Sequence, residues 1–218
     1  MKSSKQNEEC VWIGIGVNVT PDDPGYGEFI QLNKNLVQQD ESTFVFDVVS
    51  NQPHLNLYDL DVPKDNLVHI ESELQQIANS FKFFTVKFGG VNYYSYGIIF
   101  VSCEVNDQLE ELEKQIVGST VVYKGDCRTE EYWQPWRKYS QEQIENREKY
   151  GNPHVLNTFT PHITIGYVKT NENELQRIVK EIKDKQSIIQ LKCEHIDLVV
   201  HNKLGELIYS KRFLFKRR

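Results

Sequence analysis

No apolar stretch of this sequence approaches the roughly 20 residues that a membrane-spanning helix needs. The first nine residues are polar and lead directly into a strand-like segment, so they lack the pattern of a secretory signal. We therefore expect a cytoplasmic protein that does not bind membranes.

Cysteine is scarce and scattered. The four cysteines, Cys10, Cys103, Cys127 and Cys193, form no CxxC pair. Structural zinc sites and the disulfide frameworks of small secreted proteins both depend on several cysteines at regular spacings. We therefore expect free thiols, without a metal site or a disulfide framework.

The chain also lacks an excess of positive charge. Its formal net charge is -6 and its isoelectric point is about 5.6. Binding to long nucleic acids depends on many lysine and arginine contacts to phosphates. The composition therefore argues against a long nucleic acid as partner, but it allows a small phosphate-bearing ligand in a local cleft.

What the chain does contain is an ordinary globular composition. Of its 218 residues, 39% are hydrophobic and 26% are charged. This length is enough for a sizeable core in one domain, or in two closely packed lobes of about 100 residues. We expect one domain over residues 1–218, and we expect a monomer.

The most informative stretch is Pro-His-Ile-Thr-Ile at residues 161–165. On a β-strand, side chains two residues apart point to the same face. His162 and Thr164 would therefore share one face, while the isoleucines after each of them point into a core.

Residues 53–57, Pro-His-Leu-Asn-Leu, repeat this design. His54 and Asn56 would share the face opposite the two leucines. Two strands that each present an imidazole and a hydrogen-bonding partner predict a site with two-fold symmetry and two proton-transfer groups.

The order of elements supports two similar halves. Each histidine strand is followed by an amphipathic helix, over residues 66–81 and 171–185, and then by further strands. We therefore predict an α+β fold made of two related halves. Residues 126–157 fall outside this pattern, and we interpret them as a partly helical insertion.

These features resemble the two-histidine (2H) phosphoesterase superfamily, which includes 2'-5' RNA ligases and cyclic phosphodiesterases. The family carries two His-x-Thr/Ser-x motifs, matched here by residues 162–165 and, with Asn56 in place of threonine or serine, by residues 54–57. The resemblance extends from about residue 12 to residue 215. It implies a bilobal fold in which two antiparallel sheets face a central cleft, with helices outside.

The residue types suit phosphodiester chemistry. Cleavage needs a base beside the attacking oxygen and an acid beside the leaving oxygen, and two histidines can fill both roles near neutral pH. We predict His54 and His162 as the catalytic pair, without assigning which is acid and which is base. Thr164 and Asn56 would bind the non-bridging oxygens, and no metal or cofactor is needed.

Aromatic rings near the motifs are candidates for stacking on a nucleobase. We predict Phe159 and Tyr167 as substrate-binding residues. Alternatives are Tyr132, Trp133 and Trp136 in the insertion, and Tyr93, Tyr94 and Tyr96. Candidates for a cationic phosphate contact are Lys87, Lys124, Lys169 and Arg137. His154 is a further, less favoured candidate for a functional role.

The sequence thus predicts a metal-independent phosphodiesterase that acts on a small nucleotide or short oligonucleotide: a 2'-5' oligonucleotide, a cyclic oligonucleotide or a 2',3'-cyclic phosphate. One alternative is a catalytically weak module that binds and sequesters a nucleotide. Another is an RNA end-processing or ligase-type enzyme.

Overall fold

The computed structural model describes residues 9–39, 43–47, 51–125, 139–183 and 188–216. The strands are β1 Cys10–Asn18, β2 His54–Pro63, β3 Phe84–Tyr93, β4 Ile98–Cys103, β5 His162–Tyr167, β6 Ile189–Cys193, β7 His195–His201 and β8 Leu207–Leu214. The helices are α1 Tyr26–Val37, α2 Leu67–Ser80, α3 Asp107–Thr120, α4 Gln141–Tyr150 and α5 Glu172–Lys183.

Within these residues the strands form two antiparallel sheets of four. The first sheet has the order β2-β1-β7-β8, and the second has the order β5-β4-β3-β6. The histidine strands β2 and β5 are the edge strands, one in each sheet, and they contact each other. The two sheets therefore meet at the strands that carry the two motifs.

Alternating side chains give each sheet an apolar outer face and a more polar inner face. In β1, every second residue from Val11 to Val17 is buried, while Trp12, Gly14 and Gly16 lie on the other face. The apolar faces are covered by helices: α2 packs on β7 and β8, α5 packs on β3, and α1 packs on β5. The predicted α+β fold, with two antiparallel sheets and helices outside, is confirmed.

Each histidine strand contains a β-bulge at the same distance from its histidine. Leu57 is the extra residue where β2 pairs with β1, and Ile165 is the extra residue where β5 pairs with β4. Each bulged residue comes three positions after the histidine. A bulge leaves an unpaired residue and bends its strand, so both strands bend directly after the motif side chains.

Three stretches differ from what the sequence pattern predicts, which is a strand at residues 43–49, a turn at Gly89-Gly90 and a further strand at residues 119–123. Residues 43–47 form no strand, because Asn33 and Asn51 side chains bond to this segment in place of a neighbouring strand. Gly89 and Gly90 lie within β3 at a change of register, not in a turn. Residues 119–123 continue α3 into a short 3-10 turn.

The expectation of free thiols holds for Cys103 and Cys193, which are buried and unpaired. It is wrong for Cys10, which is disulfide-bonded. The spacing of cysteines along the chain does not show which of them come together in space. An isolated disulfide that belongs to no cysteine motif therefore cannot be identified from the sequence. Cys127 lies outside the described residues.

Part of the predicted insertion, residues 126–138, lies outside the described residues. Its remainder contains α4, which begins at a capping box made by Ser140 and Gln143. The Tyr58 hydroxyl on β2 donates a hydrogen bond to the carbonyl of Tyr150 at the end of α4. This contact fixes the segment after α4 beside the first histidine strand.

Among the described residues, no helix is both long and apolar enough to cross a membrane.

Candidate active site

His54 and His162 line the same cleft. Each is the first residue of its edge strand, and the cleft between them has a volume of about 210 Å³. His54 is exposed, whereas His162 is half-buried. The strand alternation that suggested the pair therefore places both rings on the inner face, at the point where the two sheets meet.

The two imidazoles are held in the same way. Nδ1 of His54 lies 2.9 Å from the carbonyl oxygen of Gln52, and Nδ1 of His162 lies 2.7 Å from the carbonyl oxygen of Thr160. A carbonyl only accepts hydrogen bonds, so each Nδ1 must carry the proton. In the neutral ring the lone pair is then on Nε2, and the protonated ring has an Nε2–H to donate.

His162 lies in an aromatic environment. The centroid of its ring is 4.7 Å from that of Phe100 and 5.9 Å from that of Tyr94. Burial disfavours the charged imidazolium and lowers the pKa of His162; the bond to Thr160 opposes this, and the charge of His54 lowers the pKa further. His162 is therefore biased toward its neutral form, which can accept a proton.

The polar partners of the two motifs also line the cleft. Thr164 lies opposite Phe100 in the β4–β5 pairing, on the same side of β5 as His162. The Asn56 amide nitrogen donates to Asp59 Oδ2 at 2.6 Å. Because an amide nitrogen has two N–H groups, this bond orients Asn56 and still leaves a second donor.

The predicted aromatic contacts are divided between two places. Phe159 lines the cleft, together with Tyr94 and Tyr96, whose rings stack with centroids 5.2 Å apart. Tyr167 is not among the residues that line it; it ends β5 beside Ile98 and is 39% exposed. The candidates Tyr132, Trp133 and Trp136 lie outside the described residues.

The segment after α4 forms one wall of the cleft. Asn152 and His154 both line it, and the Asn152 side-chain oxygen accepts a hydrogen bond from the His154 backbone at 2.8 Å. Gln143 on α4 contacts Nδ1 of His154 at 3.3 Å. His154, the less favoured candidate, therefore lies in the same cleft as the motif histidines.

Of the cationic candidates named from sequence, the described ones, Lys87, Lys124 and Lys169, are not among the residues that line the cleft. The Lys124 ammonium donates to the Glu148 carbonyl at 2.7 Å, and Arg137 lies outside the described residues. Sequence reasoning missed Arg212 on β8, which lies on the inner face of the first sheet beside Asp197. The one available signal was a charged residue next to Phe213 on a predicted strand, and recognising it requires the pairing of β7 with β8.

In the described part of the chain, no group of three or more His, Cys, Asp or Glu side chains is placed to hold a metal ion.

Solved structures share this architecture. The protein TT0787 of Thermus thermophilus is 13% identical, with a TM-score of 0.59, and the match covers 94% of this chain and 100% of that one. Escherichia coli LigT in apo form is 10% identical, with a TM-score of 0.51 and coverage of 96% and 99%. LigT complexed with 3'-AMP gives 12% identity, a TM-score of 0.50 and coverage of 96% and 99%.

No curated protein sequence matches the chain. The family model of the 2'-5' RNA ligase superfamily matches residues 47–205, a span that includes both histidine strands and most of the chain. Together with the shared fold, this match shows that the chain belongs to the 2'-5' RNA ligase superfamily of two-histidine phosphoesterases.

Proposed function

We propose that this protein is a phosphodiesterase in which His54 and His162 act as general acid and general base. The observation that carries the proposal is the matched pair of Nδ1 bonds to backbone carbonyls in one cleft. These bonds leave both Nε2 atoms available for proton transfer. The proposed substrates are small RNA-like phosphodiesters: 2'-5' oligonucleotides, cyclic oligonucleotides or 2',3'-cyclic phosphates.

The reaction follows from the two ring positions. One Nε2 removes the proton of the attacking oxygen, and the other Nε2–H protonates the oxygen that leaves phosphorus. If a neighbouring ribose 2'-OH attacks, the product is a 2',3'-cyclic phosphate. If water attacks, a cyclic phosphate is opened or a linkage is hydrolysed. The lowered pKa of His162 favours it as the base in the resting protein.

Thr164 and Asn56 are proposed to bind the non-bridging oxygens. The Thr164 hydroxyl and the remaining Asn56 N–H are donors on the cleft side of the two strands. Donors aimed at oxygens that gain charge in the transition state are each worth about 3 kcal/mol in favourable cases. The Asp59 bond gives Asn56 the fixed orientation that this role requires.

Small substrates are supported by the size and charge of the protein. The cleft of about 210 Å³ accommodates a phosphate with part of a nucleoside, and the net charge of -6 disfavours long nucleic acids. Structures of LigT complexed with ATP and with 3'-AMP show nucleotides on a protein of the same fold. Phe159, Tyr94 and Tyr96 offer aromatic surface for a base, and Tyr167 stays a predicted contact at the end of β5.

A nucleotide-sequestering module is the second candidate. It is favoured by Asn56, which departs from the family motif and shares a hydrogen bond with an acidic side chain in the cleft. This alternative predicts tight binding of a nucleotide without turnover. RNA end-processing uses the same histidines and would appear as turnover only on longer RNA.

The test is turnover of a substrate panel in EDTA by three single variants. We expect His54→Ala and His162→Ala each to lower kcat by roughly 10² to 10⁴, because each removes one proton-transfer group. His69→Ala is the matched control, since His69 is exposed on α2 and stacks on Tyr123 away from the cleft. The panel contains 2'-5' oligoadenylates, 2',3'-cyclic nucleotides and cyclic oligonucleotides.

Full turnover by either cleft variant, with unchanged melting temperature, would overturn the acid–base assignment. Asn56→Thr is a useful companion, because it restores the family's hydroxyl donor. If Asn56 only contacts phosphate, this variant keeps or raises activity; a marked drop means that the amide and its bond to Asp59 have a separate task. Binding of a panel member without product would favour the sequestering module.

A further inference from the structure

The cleft between the histidines opens into a larger recess over the first sheet. This recess has a volume of about 510 Å³, within the range of sites for small ligands. His54, Asn56 and Asp59 line both the cleft and the recess. A ligand whose phosphate lies between the histidines can therefore extend into the recess without leaving the protein surface.

The floor of the recess follows from strand register. Asn56 pairs with Gly16, Gly16 pairs with Asp197, and Asp197 pairs with Arg212, so these four residues form one row across the sheet. In the adjacent row, Gly14 lies between Asp59 and Val199. Two glycines in the central strand leave the middle of the floor without side chains.

Arg212 is held rigidly at the far side of this floor. Its Nε donates to Asp197 Oδ1 at 2.7 Å and its Nη2 donates to Asp197 Oδ2 at 3.1 Å. Asp197 is only 4% exposed and also accepts from the Asn18 backbone N–H at 3.0 Å. His195 Nε2 lies 3.1 Å from the same carboxylate. The carboxylate is thus fixed on several sides, and it orients the guanidinium.

A guanidinium has five N–H donors, and the Asp197 bonds use two of them. The remaining donors belong to a side chain that is 39% exposed and lines the recess. Arginine is well suited to phosphate because its planar fork can donate two parallel hydrogen bonds. Of the described residues that line the recess, Arg212 is the permanently charged cation.

We propose that the recess binds a second phosphate of the substrate at Arg212. Resting on the proposed function, this assigns the preferred substrates to compounds with at least two phosphates joined through a nucleoside: phosphorylated dinucleotides, longer oligonucleotides or cyclic oligonucleotides, rather than 2',3'-cyclic mononucleotides. The joining nucleoside lies over Gly14 and Gly16.

The spacing supports this arrangement. Asn56 on β2 and Arg212 on β8 are separated by three strand spacings of roughly 4.8 Å each. Because the Arg212 guanidinium bonds to Asp197 on β7, it lies about two spacings from β2. The nucleoside that joins two phosphates occupies this interval. Trp12 and His201, with ring centroids 4.6 Å apart, close one end of the recess.

The test compares three compounds that share the same scissile linkage. These are the 2'-5' diadenylate with no terminal phosphate, its 5'-phosphorylated form and its 3'-phosphorylated form. We expect kcat/KM of the wild-type protein to be roughly tenfold or more higher for at least one phosphorylated form, the size of one hydrogen bond to a charged group.

Arg212→Gln is expected to abolish this preference. The matched control is Lys211→Gln, which removes the same charge from the adjacent residue on the opposite face, where Lys211 pairs with Glu71. The control keeps the preference. Gly14→Leu is the second variant: it fills the floor, leaves the Arg212–Asp197 pair intact, and is also expected to lower the preference. Melting curves verify folding of each variant.

Equal kcat/KM for all three compounds in the wild type would overturn the second-phosphate site and leave the proposed function in place. If none of the three is turned over, the proposed function fails for them, and calorimetric binding of the phosphorylated diadenylates then tests the recess by itself. At least tenfold weaker binding by Arg212→Gln than by Lys211→Gln supports the site. Equal binding by the two variants overturns it.

Discussion

His54 and His162 are held by equivalent bonds but lie in different surroundings. Both Nδ1 atoms face a carbonyl two residues earlier in the chain, yet His54 is exposed while His162 packs against Phe100 and Tyr94. The symmetry of the motifs therefore fixes the tautomers, while burial beside the aromatic rings lowers the pKa of His162. The proposed acid–base mechanism requires one of the two rings to be neutral and the other protonated, and it benefits from this difference in surroundings.

We expect His162 to titrate below the ordinary histidine pKa of about 6.5 in the folded protein. Burial is the main cause and repulsion from His54 adds to it, so His54→Ala should raise the His162 pKa toward the ordinary value. Nuclear magnetic resonance titration of the imidazole Cε1–H measures both. The acidic limb of the pH profile of kcat/KM should also lie below pH 6.5 if His162 is the base.

His69→Ala is the control for this titration and assigns one resonance. A His162 pKa at or above that of a model peptide, or one that does not respond to His54→Ala, would contradict the electrostatic coupling.

At this scale the sequence indicated the histidines, because alternation alone puts a histidine and its partner on one face. It could not indicate the Asn56–Asp59 bond, which depends on the bulge at Leu57 to bring both side chains to one face of β2. Nor could it indicate Arg212, which depends on the pairing of β7 with β8.

The histidine strands depend on a close approach between β1 and β2. A Cβ atom on Gly16 would lie 2.4 Å from the Leu55 carbonyl oxygen, which is backbone and cannot move aside. Gly16 also pairs with Asn56 next to the bulge. The glycine is therefore required by the distance between strands, at the place where β2 bends to present its motif.

We expect Gly16→Ala to destabilise the fold by about 1–3 kcal/mol, as overpacking in a core does, and to reduce turnover by shifting His54. Gly27→Ala is the matched control, because a Cβ on Gly27 meets no atom within 4 Å and Gly27 lies in α1. Alanine favours a helix, so the control should stabilise by up to about 1 kcal/mol. Equal melting temperatures for the two variants would contradict the close approach.

Regular elements were predictable, and irregular ones were not. Asn106 stands directly before the apolar repeat of α3, the usual place of an N-cap residue, and its side chain accepts from the Leu109 N–H. Gly89 and Gly90 have the composition of a turn, but the same freedom serves a change of register inside β3. Composition shows where the backbone can deviate; the pairing partners decide how it deviates.

At the scale of the whole molecule, one buried acid links helix α3 to the segment that leads into the second histidine strand. Glu113 on α3 is fully buried and accepts a hydrogen bond from the Leu156 N–H at 2.9 Å. Leu156 has a positive φ of 53° shortly before β5. Burial raises the pKa of Glu113 to about 7, with the Leu156 bond opposing and the charge of Glu110 adding to the rise.

A raised carboxyl pKa makes the folded state bind a proton more tightly than the unfolded state. The stability from this group is complete below about pH 4.5 and is lost as the pH rises through about 7. Glu113→Gln is a neutral mimic of the protonated acid. We therefore expect its free energy of unfolding, relative to that of the wild type, to rise by on the order of 3 kcal/mol at most when the pH is raised from about 5 to about 9. Denaturant unfolding at both pH values measures the difference.

Glu111→Gln, on the exposed side of the same helix, should show no such relative gain. A difference between wild type and Glu113→Gln that stays constant with pH would mean that Glu113 is ionised throughout.

The placement of β2 and β5 has a consequence for solubility. Unpaired sheet edges are templates on which other chains can add strands and aggregate. Here the edges that carry the two motifs are turned toward each other, so a second chain meets the outer edges β6 and β8 instead. Those edges carry Lys192, Lys211 and Arg212, and charge of this kind opposes intermolecular pairing. The geometry that brings the histidines together thereby also shields their strands from self-association.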